Sequence, residues 1–126
     1  MKNLKMLFFA ITVFSAIAFF GSVKSVYAQR SSFEWSGTVD DTVQIRIRNH
    51  RARTRTLNGR AYYDERYNFY GRAPRYDANV NVRKRDGRGK VFVVQQPSRR
   101  NGYTTIIQVV DTKGGSDRYR FTVNWN

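Results

Sequence analysis

Arginine is the residue type in this sequence with the clearest capacity to bind a ligand. The 126 residues include 23 Lys and Arg against 9 Asp and Glu, for a net charge of +14. Beyond residue 28 there are 17 Arg but only 3 Lys, and the net charge is +11. A planar guanidinium holds carboxylate or phosphate with two hydrogen bonds and stacks on aromatic rings. The composition leaves two interpretations open: a solvated basic surface, or a surface that contacts polyanions.

Two stretches concentrate these arginines. In residues 46–55 they alternate with other residue types, as outward-facing positions of strands do. Residues 58–77 contain five tyrosines and four arginines but no strand pattern. We predict a long loop there, packed because disordered segments contain few aromatics, which either binds a ligand or covers one end of the fold. The candidate ligand-binding residues are Arg46, Arg48, Arg53, Arg55, Arg60, Tyr62, Tyr63, Arg66, Tyr67, Tyr70, Arg72, Arg75 and Tyr76.

The sequence offers little for catalysis or metal binding. His50 is the only histidine and there is no cysteine, so neither a zinc site nor a nucleophilic triad is indicated. The acidic pairs Asp40-Asp41 and Asp64-Glu65 are interpreted as structural, because neighbours on a strand point to opposite faces. Asp111 and Asp117 flank two glycines and could hold calcium, but the positive net charge disfavours this. We expect no enzyme, no cofactor and no metal.

The N-terminal 28 residues have the three-part layout of a secretory signal. Lys2 and Lys5 precede a largely apolar run over residues 6–20, and Val26-Tyr27-Ala28 provides a cleavage site. The alternative is a membrane anchor, for which this run is short and Lys24 comes too early. We predict a signal peptide at 1–28, cleavage after Ala28 and a single domain at 29–126. The mature protein would be secreted or periplasmic, with no integral membrane span and no disulfide.

Alternation with a period of two dominates the mature sequence and predicts strands. Residues 33–39 and 43–47 are expected to form a hairpin, and the polar residues 53–57 an edge strand. Residues 79–83 lead into Asp86-Gly87, a strong hairpin signal. Two later stretches, 90–96 and 103–111, are apolar on both faces and are therefore placed centrally.

The last strand is predicted over residues 118–125, with Tyr119, Phe121, Val123 and Trp125 pointing inward. If it pairs with the first strand, Trp35 and Trp125 fall in one core. About seven strands in this length favour an all-β fold, an antiparallel sandwich of immunoglobulin-like size. A small β-barrel is the alternative, because periodicity does not distinguish the two.

The C-terminal third carries a resemblance to known proteins. Its residues are Val93-Val94-Gln95-Gln96-Pro97-Ser98, Asn101-Gly102-Tyr103-Thr104, Gly114-Gly115 and Tyr119-Arg120-Phe121. This pattern resembles small exported bacterial β-proteins of uncharacterised function. The resemblance implies secretion and a β-fold, and carries no activity or active site.

Three functional hypotheses follow. The first is a non-catalytic domain that binds an anionic envelope or extracellular polymer, such as polysaccharide, lipopolysaccharide or nucleic acid, through arginine and tyrosine. The second is a structural or protein-interaction module of the cell envelope, in which the arginines meet an acidic protein partner. The third, an unrecognised hydrolase, has the least support in the sequence.

Overall fold

Eight strands and one three-residue 3₁₀ turn make up the computed structural model, which describes residues 31–60 and 62–126. The predicted signal segment lies outside the described residues. The strands are β1 (Ser31–Val39), β2 (Asp41–Arg48), β3 (Arg51–Asn58), β4 (Tyr63–Tyr70), β5 (Val80–Asp86), β6 (Lys90–Gln95), β7 (Thr105–Asp111) and β8 (Asp117–Trp125), and the turn is Arg99–Asn101.

The strands form two four-stranded antiparallel sheets packed face to face. Sheet 1 has the order β4-β1-β8-β5 and sheet 2 the order β3-β2-β7-β6. No strand of the described chain belongs to both sheets, so the predicted antiparallel sandwich is confirmed over the barrel alternative. The count is eight strands instead of about seven, because residues 63–70 form one as well.

The core lies between the two sheets, on the inward rows that the alternation predicted. Trp35 and Trp125 are fully buried, and the indole of Trp35 stacks on the ring of Phe121 at 5.4 Å between centroids. They share one core because β1 pairs with β8 along its whole length. Trp125 donates its Nε1 hydrogen to Thr105 Oγ1 at 2.9 Å, a buried bond between the two sheets.

The two predicted hairpins, at residues 33–47 and at Asp86-Gly87, are wrong. In each case the two strands belong to opposite sheets: β1 and β5 to sheet 1, β2 and β6 to sheet 2. Alternation identifies the inward row of a strand, but inward rows from facing sheets look alike. The chain crosses between sheets at residues with positive φ, Asp41 at 77° and Gly87 at 125°.

Central and edge strands were predicted with mixed success. β7 is central and the polar strand β3 is an edge, as expected. The central placement of residues 90–96 is wrong, because β6 is the other edge of sheet 2. Its outward row begins with Lys90 and continues with Phe92 and Val94, which remain 39% and 46% exposed.

The prediction of one long loop over residues 58–77 is also wrong, since β4 occupies its middle. The inward row of β4 contains Glu65, Tyr67 and Phe69, so a carboxylate interrupts the apolar alternation and hides the period of two. Residues 71–79 then connect β4 to β5 at the opposite edge of sheet 1, with Ala73 and Ala78 buried.

Candidate functional site: an arginine ladder on sheet 2

Five arginines project from the outer face of sheet 2, on the neighbouring strands β2 and β3. Their direction follows from the alternation, because Val43, Ile45 and Ile47 of β2 fill the core between them. All five side chains are exposed. We call this group the arginine ladder, and it consists of Arg46, Arg48, Arg51, Arg53 and Arg55.

The register places like charges directly opposite one another in this ladder. Arg46 pairs with Arg53, and Arg48 pairs with Arg51, across adjacent strands. Opposed like charges destabilise an antiparallel pair. The sequence-level prediction included Arg46, Arg48, Arg53 and Arg55 but gave no register, so it did not foresee that they meet in pairs.

The strands of sheet 2 bring no carboxylate to the ladder. None of the outward positions of β2, β3, β6 and β7 is acidic. Across the described residues, the one ion pair joins Arg88 to Asp111, away from the ladder. The outer face of sheet 1 differs, because Glu34 stands there between Asn68 and Thr122 in register. The ladder is therefore a concentrated positive patch on one face.

Two shallow depressions extend the ladder along one end of the sandwich. The first, of about 370 Å³, is lined by Asn49, Thr104 and four ladder arginines. The second, of about 270 Å³, shares Arg48 and Asn49 with it and reaches Arg75 and Tyr103. Arg75 is thus the member of the 58–77 segment that lies beside the ladder. These open sites present guanidinium, amide and hydroxyl donors, which suit anionic groups.

The remaining candidate residues of the 58–77 segment do not join this face. Tyr63, Arg66 and Tyr70 follow the outward row of β4, in register with Thr38, Ser36 and Ser32, on the outer face of sheet 1. The predicted arginines and tyrosines are therefore divided between opposite faces of the sandwich. Arg60 lies in a separate depression with Asp40 and Tyr63, and Arg72 and Tyr76 are exposed in connections.

Two of the predicted tyrosines contribute to packing. Tyr67 lies 5.7 Å from Phe33 between ring centroids. Tyr62 is half-buried and donates its hydroxyl to the carbonyl of Thr54 at 3.4 Å. Burial, with the nearby Glu65 carboxylate adding to it, raises the pKa of Tyr62. Both contacts hold β4 against its neighbours.

Glu65 joins the two sheets where β4 and β3 form their edges. The sequence indicated a structural role for the pair Asp64-Glu65 but not this contact between sheets. Its carboxylate accepts a hydrogen bond from Trp35 Nε1 at 2.7 Å and another from Thr54 Oγ1. Thr54 belongs to β3 of sheet 2, whereas Glu65 and Trp35 belong to sheet 1. The ladder strand β3 is thereby fixed to sheet 1.

Arg88 occupies the place where a calcium ion was considered. Its Nε donates to both oxygens of the buried Asp111 carboxylate at 2.9 and 3.2 Å, and its Nη2 donates to the Gly114 carbonyl at 2.7 Å. Its backbone N–H donates to Asp117 at 2.8 Å. Of the oxygens considered as calcium ligands, those of Asp111 and Gly114 thus accept from the guanidinium, and Asp117 accepts from the Arg88 backbone. Within the described residues, no group of three or more His, Cys, Asp or Glu is arranged to hold a metal.

Tyr119 lies beside this ion pair, and we expect its raised pKa to make the fold less stable in alkali. Burial, reinforced by Asp111 and Asp117, raises the pKa of Tyr119 from 10.0 to about 12, although the hydrogen bond from Gly89 opposes the shift. The folded state thus holds the phenol proton more tightly than the unfolded state. The resulting stability is complete below pH 10.0 and is lost as the pH rises through about 12. Urea unfolding midpoints that stay constant across this range would contradict the prediction.

Comparison of the chain with models of protein families, with curated proteins and with solved structures found no match. The resemblance to exported bacterial β-proteins therefore stays a prediction. Among the residues described, there is no helix with the length and apolarity needed to cross a membrane.

Proposed function

We propose that the domain is a non-catalytic binding module for an anionic polymer, exported from the cell after removal of residues 1–28. The observation that carries the proposal is the register of the arginine ladder, in which Arg46 opposes Arg53 and Arg48 opposes Arg51 with no acidic residue at the outward positions of the four strands of that sheet. This arrangement costs stability in the free protein. An anionic ligand would remove the cost by lying between the opposed guanidinium groups.

The ladder suits a ligand with repeated negative groups. Its arginines recur at every second residue, which corresponds to about 7 Å along a strand. Each guanidinium can hold a phosphate, sulfate or carboxylate with two hydrogen bonds. Arg75, beyond Arg48 at the end of β2, would lengthen the same track. Acidic polysaccharide, lipopolysaccharide and nucleic acid all carry such groups.

Salt dependence tests this function directly. We expect the exported protein, with its N-terminus read by mass spectrometry, to bind polyphosphate and polygalacturonate at low ionic strength. The affinity should fall linearly with the logarithm of salt concentration, because binding releases counterions from the polymer. Affinity is measured by fluorescence anisotropy. An affinity that does not change with salt concentration, or no binding to either polymer at low salt, would refute the proposal.

A further inference from the structure

The outer face of sheet 2 is divided into a basic half and an apolar half. β2 and β3 provide the arginine ladder, while the outward residues of β7 and β6 include Val110, Phe92 and Val94, with Ile106 on the same row of β7 but only 8% exposed. The register connects the two halves. In one row, Arg46 of β2 is opposite Ile106 of β7. In the next, Gln108 of β7 lies between Gln44 of β2 and Phe92 of β6. The two halves therefore form one continuous surface.

The apolar half is open to solvent at the edge of the sheet. Phe92 is 39% exposed and Val94 is 46% exposed. Between Val91 and Gln95, β6 has no charged residue. The other three edge strands all carry charges: β3 has the ladder, β4 has Asp64 and Arg66, and β5 has a basic run ending in Asp86. Apart from Lys90 at its start, β6 therefore lacks the charges that normally protect an exposed edge strand.

From this division we infer that the anionic ligand of the ladder is presented by a lipid bilayer, and that the outer face of sheet 2 lies flat on the membrane surface. The inference rests on the proposed role of the ladder and specifies its ligand. Arginines would contact anionic headgroups, while Phe92 and Val94 would enter the boundary between headgroups and acyl chains. A basic surface with adjacent apolar side chains is the combination by which peripheral proteins bind anionic membranes.

The geometry favours a bilayer over a soluble polymer. Strands in a sheet are about 4.8 Å apart, so β6 lies about 10 Å from β2 across the same face. A bilayer surface extends over both halves at once. A hydrated polysaccharide or nucleic acid backbone lying on the ladder would leave Phe92 and Val94 in water. The outer face of sheet 1 also has exposed Tyr63 and Tyr70 and the arginines Arg66, Arg118 and Arg120, but the carboxylate of Glu34 lies on the same row of β1. It has no exposed apolar edge beside these arginines to match that of β6.

The test uses the exported protein and vesicle co-sedimentation. Three ligands are compared: phosphatidylcholine vesicles, phosphatidylcholine vesicles containing phosphatidylglycerol, and soluble polyphosphate. Three proteins are compared: wild type, the Phe92→Ser/Val94→Thr variant and the Arg46→Gln/Arg53→Gln variant. We expect wild type to bind the phosphatidylglycerol vesicles and not the phosphatidylcholine vesicles. The Phe92→Ser/Val94→Thr variant should lose roughly ten-fold or more in vesicle affinity, because it removes apolar area that would leave water.

Polyphosphate binding separates this inference from the proposed function. The Phe92→Ser/Val94→Thr variant should bind polyphosphate as wild type does, whereas Arg46→Gln/Arg53→Gln should lose affinity for both ligands. If the apolar variant keeps full vesicle affinity, or wild type binds phosphatidylcholine equally well, the bilayer inference fails and the ladder proposal survives. If wild type binds neither polyphosphate nor vesicles, both fail. If the free Phe92→Ser/Val94→Thr protein has a smaller sedimentation coefficient than free wild type, β6 mediates self-association and the inference is also overturned. Thermal unfolding of each variant confirms that the fold is intact.

Discussion

The Arg46→Gln/Arg53→Gln variant is expected to bind anionic polymers roughly ten-fold or more weakly than wild type, because it removes two charge-assisted bidentate contacts. The slope of log affinity against log salt should decrease in magnitude by about 2, since each arginine that no longer meets a phosphate lowers it by about one. The free energy of unfolding of the same variant, measured in urea, should rise by roughly 0.5 kcal/mol, because the variant removes one opposed pair of like charges. Binding and stability should thus change in opposite directions.

A matched variant on the other face controls for net charge. Arg118→Gln/Arg120→Gln removes the same two charges from outward positions of β8 in sheet 1, where Arg118 faces Thr38 and Arg120 faces Ser36. These residues have no arginine opposite on β1, and Arg120 is opposite Asp86 on β5, so we expect this variant to gain no stability and to keep its polymer affinity. Equal losses of affinity in both variants would mean that total charge, and not the ladder, determines binding.

Gly89→Ala is expected to destabilise the fold by about 3 kcal/mol or more, at the upper end of single-residue effects. Gly89 lies between β5 and β6, and its N–H donates to the hydroxyl of the buried Tyr119 at 2.6 Å. A β-carbon at this position would overlap the Val110 carbonyl oxygen and the Tyr119 hydroxyl. The carbonyl oxygen belongs to the backbone of a central strand, so it cannot move aside. Urea denaturation followed by tryptophan fluorescence would measure the loss.

Gly114→Ala provides the comparison for that change. Gly114 has a positive φ of 79°, but a β-carbon there meets no atom within 4 Å. The cost should be limited to the left-handed backbone conformation, about 1 kcal/mol. Similar stabilities for the two variants would show that the contact of Gly89 with Val110 and Tyr119 does not constrain the fold.

The sequence was sufficient for the fold class but not for the pairing of strands. The period of two identified inward rows such as Tyr119, Phe121 and Val123, and these rows are buried as expected. It could not assign a strand to one sheet or the other, which depends on local conformations such as the positive φ of Asp41. β4 was missed because Glu65 lies on its inward row, where it bonds Trp35 and Thr54. A half-buried carboxylate whose partners are distant in sequence has no local signature.

The candidate site was predicted in part. Alternation was enough to expect that Arg46, Arg48, Arg53 and Arg55 point outward. Their opposition in pairs depends on the β2–β3 register, and the approach of Arg75 depends on the course of residues 71–79. The candidate arginines of β2 and β3 and the outward tyrosines of β4 lie on opposite faces for a physical reason. β3 and β4 are edges of different sheets, so their outward rows face opposite directions.

The pairing of β1 with β8 has a consequence for how the protein reaches its native state. β1 is the first strand to emerge during synthesis, yet one of its two neighbours in sheet 1 is β8, which follows all the other strands. Contacts between such distant segments form slowly, because a long loop must close before they contribute. The packing of Tyr119, Phe121, Val123 and Trp125 into the core therefore cannot occur until residues 117–125 have been made. We propose that this polypeptide crosses a membrane unfolded, and slow folding would keep the chain unfolded until it has crossed.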